Sequence, residues 1–277
     1  MIQPTTSRAY HSMGAGLPPA KMWVSKSLLW KFAPSPFAWK EERDAGIGFK
    51  PTDATDWGNL LDCRVTSPLE FLDVAAVGNF KDWRAKEAGA FRDAARAEGK
   101  IPFLQCKMAG LELAAKRMRE HLAQAINGEI QYQVQMTTEI EVGGDTFNCK
   151  GLADILVNGR FLHDIKTTGQ GLELRNLRNK IADMGYHCQA AWYIDLMRAN
   201  GVDTPDTFGL HFQESEFPYR TRTVMLDAAD IAAGRAWYNG ALSLWAYCSR
   251  SDDWPGQIME PIIGGLSAYA KGGSSYE

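Results

Sequence analysis

The sequence has no run of about eighteen apolar residues, the length a membrane-spanning helix needs, so no such helix is expected. Its N-terminus, MIQPTTSRAYHSMGAGLPPAK, lacks the basic-then-apolar order of a secretory signal, and an intracellular protein is the default expectation. A C-x-x-C pair is missing too: Cys63, Cys106, Cys149, Cys188 and Cys248 are scattered and odd in number. That spacing argues against a disulfide framework, a structural zinc site or an iron–sulfur cluster. The cysteines read instead as reduced, partly buried small hydrophobes. An excess of one charge is also lacking, since 30 basic and 33 acidic residues leave −3. Whole-chain charge therefore gives no sign of nucleic-acid binding, and any such site has to be a local basic groove. There is no repeat of fixed period and no low-complexity block before the C-terminal end.

What remains is an ordinary globular composition, 45% hydrophobic and 23% charged, over 277 residues. Residues 1–21, rich in Pro, Gly, Ser and Thr, read as a flexible arm. VSKSLLWKFAPSPFAWKEERD predicts two short helices with Ser25 and Ser35 as N-caps, and Pro36 at the first helical position. TDWGNLLDCRVTSPLEFLD predicts a helix and then another opened by Ser67-Pro68. From Lys81 to Gly128 the texture is helical, with KIPFLQ ambiguous between two Ala-rich segments that end at glycines.

Near residue 130 the pattern changes to period-two alternation with β-branched residues. Strands are expected at 134–142, 146–157 and 160–168, turning at Gly143-Gly144-Asp145 and Asn158-Gly159. Two helices follow, LELRNLRNKIADMG and YHCQAAWYIDLMRANG. A strand pair comes next, around Phe217-Pro218, and then a helix capped by Asp227. This order predicts one α+β domain over 22–250, a mixed central sheet flanked by helices with a helical N-terminal half. Residues 251–277 read as a mobile tail.

The hairpin GLADILVNGRFLHDIKTTG carries charges where a buried sheet wants hydrophobes. Asp164 and Lys166 share a strand face because side chains alternate. A two-residue turn at Asn158-Gly159 would set Asp154 opposite His163, on the wrong face. An odd loop, for example Val157-Asn158-Gly159, or a bulge near Asp154 brings all three together, and the odd register is predicted. Two carboxylates converging on one spot repel and call for a cation, and hard oxygen ligands suit Mg²⁺ or Mn²⁺. A lysine beside such an ion can orient water or stabilise phosphate charge, the equipment of a metal-dependent phosphodiesterase. Taken alone, D-x-K is more often a solvated edge pair.

The flanking residues shift that balance. KGLADILVNGRFLHDIKTT followed by YHCQAAWY resembles the PD-(D/E)-x-K nuclease superfamily in its RecB-like branch, and within it the RecE-type (exonuclease VIII) nucleases of phages and prophages. The matching pattern is Asp154, then Asp164-Ile165-Lys166-Thr167-Thr168, then Tyr186, His187, Gln189 and Tyr193. VSKSLLWKFAPSPFAWK, EGKIPFLQ and FQESEFPYRTRTVML are similar to further family segments, so the resemblance spans about residues 22 to 245. One departure stands out. GNLLDCRVTSPLEF places Asp62 where the family usually carries a metal-binding histidine; an aspartate still suits Mg²⁺.

The resemblance implies that Asp154, Asp164, the Ile165 carbonyl and Asp62 hold Mg²⁺, with Mn²⁺ a substitute, and that Lys166 sits by the scissile phosphate. Gln189, Tyr193 and Tyr186 share a helical face and would contact DNA or buttress Lys166; for Tyr193, core packing is almost as good a reading. His187 lies off that face and reads as structural. Thr167, Thr168, Arg175, Arg178 and Lys180 are candidate DNA contacts. Arg220, Arg222, Lys116, Arg117 and Arg119 form weaker sets, each more often a solvated face.

The implied activity is exonucleolytic digestion of the 5′ strand from duplex ends. It would leave 5′-phosphorylated nucleotides and a 3′ overhang for a single-strand annealing recombination partner. A ring-like homo-oligomer in the cytoplasm of a bacterial or phage-infected cell is implied as well. Competing readings are an endonuclease or CRISPR-adaptation-like nuclease on the same fold, the latter disfavoured by the missing cluster cysteines, and a non-catalytic DNA-end-binding protein.

Overall fold

Hydroxyl side chains open the first helices of the chain. Thr6, Ser25, Ser35 and Thr52 each accept a hydrogen bond from the backbone N–H three residues ahead, a contribution of about 1 kcal/mol each. They start α1 (Ser7–Ser12), α2 (Lys26–Phe32), α3 (Pro36–Asp44) and α4 (Asp53–Thr66). Ser67-Pro68 begins only a single 3₁₀ turn, which leads into α5 (Phe71–Val74) with no capping side chain. Two longer helices, α6 (Lys86–Ala97) and α7 (Met108–Ala125), complete the N-terminal half. The structure is a computed structural model that describes residues 1–13 and 16–256. Most of the expected tail, 257–277, therefore lies outside the described residues.

The strands are β1 (Ile2–Pro4), β2 (Ala75–Gly78), β3 (Ile101–Leu104), β4 (Ile130–Val142), β5 (Asp145–Val157), β6 (Phe161–Thr168), β7 (Phe208–Glu214) and β8 (Thr221–Leu226). Six form a mixed sheet in the order β1-β4-β5-β6-β7-β8, with β6 and β7 parallel and the other neighbours antiparallel. The parallel step is made by α8 (Leu174–Asp183) and α9 (Tyr186–Ala199), and α10 (Ala228–Ser251) follows β8. Asp227 closes a capping box at the start of α10.

Helices cover both faces of the sheet. One core joins α2, α8, α9 and α10 to Val134, Met136, Leu162, Phe208 and Phe212. The other joins α4, α5 and α7 to Ile155, Val157 and Ile165. Helix α9 buries eight of its residues between sheet and α10; each large one, such as Trp192, contributes about 1.5–3 kcal/mol.

Two segments differ from the sequence expectation. KIPFLQ forms β3, paired in parallel with β2 as a separate two-stranded sheet; strands this short carry too little periodicity to declare themselves. The N-terminal arm is also anchored rather than loose. Ile2, Gln3 and Pro4 pair with Met136, Gln135 and Val134 at the sheet edge. Buried Lys150 donates to the carbonyls of Tyr10 and Met13, each at 3.0 Å. Both anchors are long-range contacts, invisible in a segment judged by its Pro and Gly content.

Candidate active site

The β5–β6 hairpin turns through three residues, Asn158, Gly159 and Arg160, between the paired Val157 and Phe161. Asn158 and Gly159 both take positive φ, which the Asn-Gly sequence accommodates. The loop is odd, as expected, but sits one residue further along than Val157-Asn158-Gly159. Its register sets Asp154 against Asp164, yet the ladder stops one pair earlier, at Ile155 and His163. Beyond that pair β6 keeps its pairing with β7. The Asp154 carboxylate itself accepts the Ile165 N–H, at 3.0 Å. A side chain thus replaces a backbone acceptor where two strands separate.

The same point is a break in β4. Tyr132 pairs with Ile155 and Val134 with Ala153, but Gln133 and Asp154 between them are unpaired. Phe147, Cys149 and Ala153 pack in the core with α9, whereas Ile155 and Val157 pack in the core with α4. All five share one parity, so β5 turns over at Asp154. Strand β4 turns over beside it: Val134 and Met136 face the first core, Ile130 and Tyr132 the second. The β4–β5 register is the same on both sides of this break, so no extra residue is inserted and there is no bulge near Asp154; the odd loop alone sets the register of the hairpin.

Around that opening the structure gathers four charged side chains. Asp164 is 1% exposed; its Oδ1 accepts a hydrogen bond from Gln189 Nε2 at 2.7 Å, and its Oδ2 forms an ion pair with Lys166. Lys166 Nζ lies 4.8 Å from the centroid of the Tyr186 ring. Asp62, on α4 across the sheet, has one carboxylate oxygen bonded to Gln133 Nε2 at 3.0 Å. Its other oxygen, Oδ1, is buried with no hydrogen-bond partner. Gln133 and Asp62 also line a cleft of about 690 Å³ with Thr6, His11, Thr66 and Glu70.

The titration behaviour follows from this crowding. Withdrawal from water, and then the Asp164 charge, push the Asp62 carboxyl up to about 7 against the pull of Lys166 and its hydrogen bonds. Asp154 is raised well above the usual carboxylate range by burial and by Asp164 and Asp62. Burial works against the Lys166 ammonium, but Asp164 and Asp154 outweigh it and hold the group charged. Tyr193 is raised well above the ordinary phenol range by burial, then by Tyr10, Asp164 and Asp154, and so remains a neutral phenol. From α9 it packs against β5: a Cβ on Gly151 would come within 2.9 Å of its ring, so glycine permits the close approach.

The other predicted positions are less uniform. Ile165 is buried in the α4 core. Thr168 is buried and accepts from the Gln170 N–H, and Thr167 packs towards Gly58 on α4. Arg175 and Arg178 stand exposed one turn apart on α8, with Lys180 partly buried on the same helix. Most of the weaker cationic candidates are engaged internally: Arg220 pairs with Glu214, Arg222 donates to the Leu172 carbonyl, and Arg119 to that of Arg64. The His187 ring contacts the Cys188 thiol.

Sequence reasoning missed two residues. Gln133 holds Asp62 across 71 positions of chain and carries no motif. Lys26, inside the VSKS segment, is 8% exposed, donates to the Met184 carbonyl at 2.7 Å and lies over Trp30. Burial and the Lys166 charge lower its ammonium to about 8. Only the unusual burial of a lysine betrays it.

Among the described residues no three His, Cys, Asp or Glu side chains stand as a ready-made coordination shell. The donor chemistry nevertheless fits a divalent cation. Three carboxylates face one region, Asp62 and Asp154 are each raised by burial and then by their neighbours' charge, and Asp62 Oδ1 is an orphaned buried acceptor.

The model of a PDDEXK-like domain of unknown function (DUF3799) matches residues 25–260. The fold is similar to that of a candidate exonuclease from Eubacterium rectale, with a TM-score of 0.59 and 17% identity over 97% of this chain and 98% of that one. A phage-related exonuclease from Haemophilus somnus 129PT aligns at a TM-score of 0.33 and 14% identity over 80% of this chain and 96% of the other. A Rhodococcus opacus (strain B4) protein named CTP synthase is 28% identical over 214 residues, 74% of this chain and 30% of that relative's length.

Proposed function

Because the chain belongs to this PDDEXK-like family, we propose that it is a divalent-metal-dependent exodeoxyribonuclease acting on the ends of duplex DNA. The observation that carries the reading is the meeting of Asp154, Asp164 and Lys166 where β5 and β6 part, with Asp62 facing them from α4. Asp154, Asp164, Asp62 and the Ile165 carbonyl would hold Mg²⁺ or Mn²⁺. When bound there, the ion supplies Lewis acidity, lowering the pKa of water and screening phosphate charge.

The chain's own residues divide the remaining work. Lys166, kept charged by its carboxylate neighbours, is an electrostatic partner for the phosphate rather than a base. Gln189 fixes the Asp164 carboxylate, Tyr186 places its ring beneath the Lys166 ammonium, and Tyr193 excludes water behind them. Hydrolysis adds water oxygen to phosphorus and breaks the bond to the 3′ oxygen, which takes up a proton. Arg175, Arg178 and Lys180 on α8, with Thr167 ahead of them, would track the DNA backbone, whereas the burial of Thr168 removes it from the contact set. Digestion of the 5′ strand, a ring-like homo-oligomer and an annealing partner for the 3′ overhang follow from the RecE-like pattern of the motifs.

The test uses end-labelled linear and closed circular duplex, with Mg²⁺ or with chelator. Degradation of linear DNA alone, dependent on the ion, is expected. Nicked circles would make it an endonuclease, and intact DNA with a mobility shift a binder. In the same assay Lys166→Ala should lower turnover by at least about a hundredfold while DNA binding stays within a fewfold; retained turnover removes Lys166 from the mechanism.

A further inference from the structure

Gln133 is 5% exposed and lies inside β4, yet its φ is +52°, in the left-handed region that a side chain such as glutamine rarely enters. Such strain persists only where surrounding structure enforces it. Here the distortion lies where β4 turns over and where pairing with Asp154 is skipped. Its outcome is specific. The Gln133 amide reaches α4 and donates to Asp62 Oδ2 at 3.0 Å and to Thr66 Oγ1 at 3.1 Å. Thr66 in turn donates to the Asp62 carbonyl at 2.9 Å. One carboxylate oxygen is thereby engaged, and the other, buried and unpartnered, is left free.

We propose that Gln133 is a positioning residue: it engages one oxygen of Asp62 so that the other is presented to the divalent cation bound with Asp154 and Asp164. This rests on the metal-dependent reading above. An amide suits the task because it donates without adding charge. A carboxylate in its place would add a fourth negative group, and a lysine would compete with the ion. The strained backbone is the cost of bringing β4 close enough to α4 for that donation.

Mn²⁺ affinity of the full chain, measured by isothermal titration calorimetry without DNA, tests the assignment. Gln133→Ala and Gln133→Gly should each weaken binding about tenfold or more, the usual effect of removing a group that orients a ligand. Gln133→Gly separates orientation from folding, since glycine accepts the positive φ and offsets part of the stability lost with the buried amide, and a cooperative melting curve checks that the variant is folded. Asp62→Asn should weaken binding by itself, and adding Gln133→Ala should then weaken it no further. Wild-type affinity in Gln133→Gly, or a full additional loss in the Asp62→Asn background, overturns this inference alone. No Mn²⁺ binding by the wild-type chain overturns it together with the proposed metal dependence.

Discussion

Asp62 illustrates how a single residue trades stability for readiness. Its carboxyl, held up to about 7 by burial and by Asp164, is more costly to ionise in the native state than in an unfolded chain. A raised carboxylate favours the folded state below its unfolded pKa, and that advantage is lost as pH rises towards 7. At neutral pH the metal-free protein therefore carries a repulsion that Asp62→Asn should relieve, raising stability by about 1–2 kcal/mol. Mg²⁺ should stabilise wild type more than the variant. Melting curves at pH 7.5 with and without Mg²⁺ check both; equal melting temperatures without the ion would show that Asp62 is not under this repulsion. Lys166 was legible from the D-x-K tripeptide because its partner lies two residues away. Gln133 was not, since nothing local marks a donor whose acceptor is on another element.

At the scale of elements, β6, β7, β8 and α7 are joined by a chain of histidines. His163 Nδ1 lies 3.1 Å from His211 Nε2, and His211 Nδ1 lies 2.9 Å from Thr223 Oγ1, which also contacts His121. A Cβ on Gly209 would stand 2.0 Å from the His163 ring, so glycine makes room for the stack. Burial, and then the two neighbouring imidazoles, lower His211 to about 3. The native state thus stays neutral while the unfolded chain takes up a proton below about 6.5, so stability falls as pH drops through that window. Between pH 7 and 5 wild type should lose about 1–2 kcal/mol relative to His211→Gln. Denaturant titrations of the two proteins at both pH values measure that difference, and parallel behaviour would sink the assignment. In sequence these histidines are unremarkable, because the sheet order that aligns them is set by a parallel crossover.

For the whole molecule, a net charge of −3 means that the proposed DNA affinity has to come from local patches. Arg175 and Arg178 are exposed on the helix that leaves β6, whereas Arg220 is held by Glu214. If the α8 pair neutralises phosphates, replacing both by alanine should reduce the log–log salt slope of duplex binding by about 2. Arg220→Ala should leave it nearly unchanged. Fluorescence anisotropy across a salt series distinguishes them, and an unaltered slope in the α8 variant would remove that helix from the interface.

Local signals in the chain were enough for much of this. Period-two alternation gave the central strands, hydroxyl caps gave α2 and α3, and alternation gave the shared face of Asp164 and Lys166. Each depends only on residues within one or two turns or pleats of one another. Tertiary structure decided the rest: the turnover of β4 and β5 at Gln133 and Asp154, the docking of residues 1–13 on the sheet edge, and the approach of α4 that brings Asp62 across. Those features arise where a strand loses one partner and a distant group supplies another. Their energy lies in contacts between segments tens of residues apart, and no local pattern encodes it.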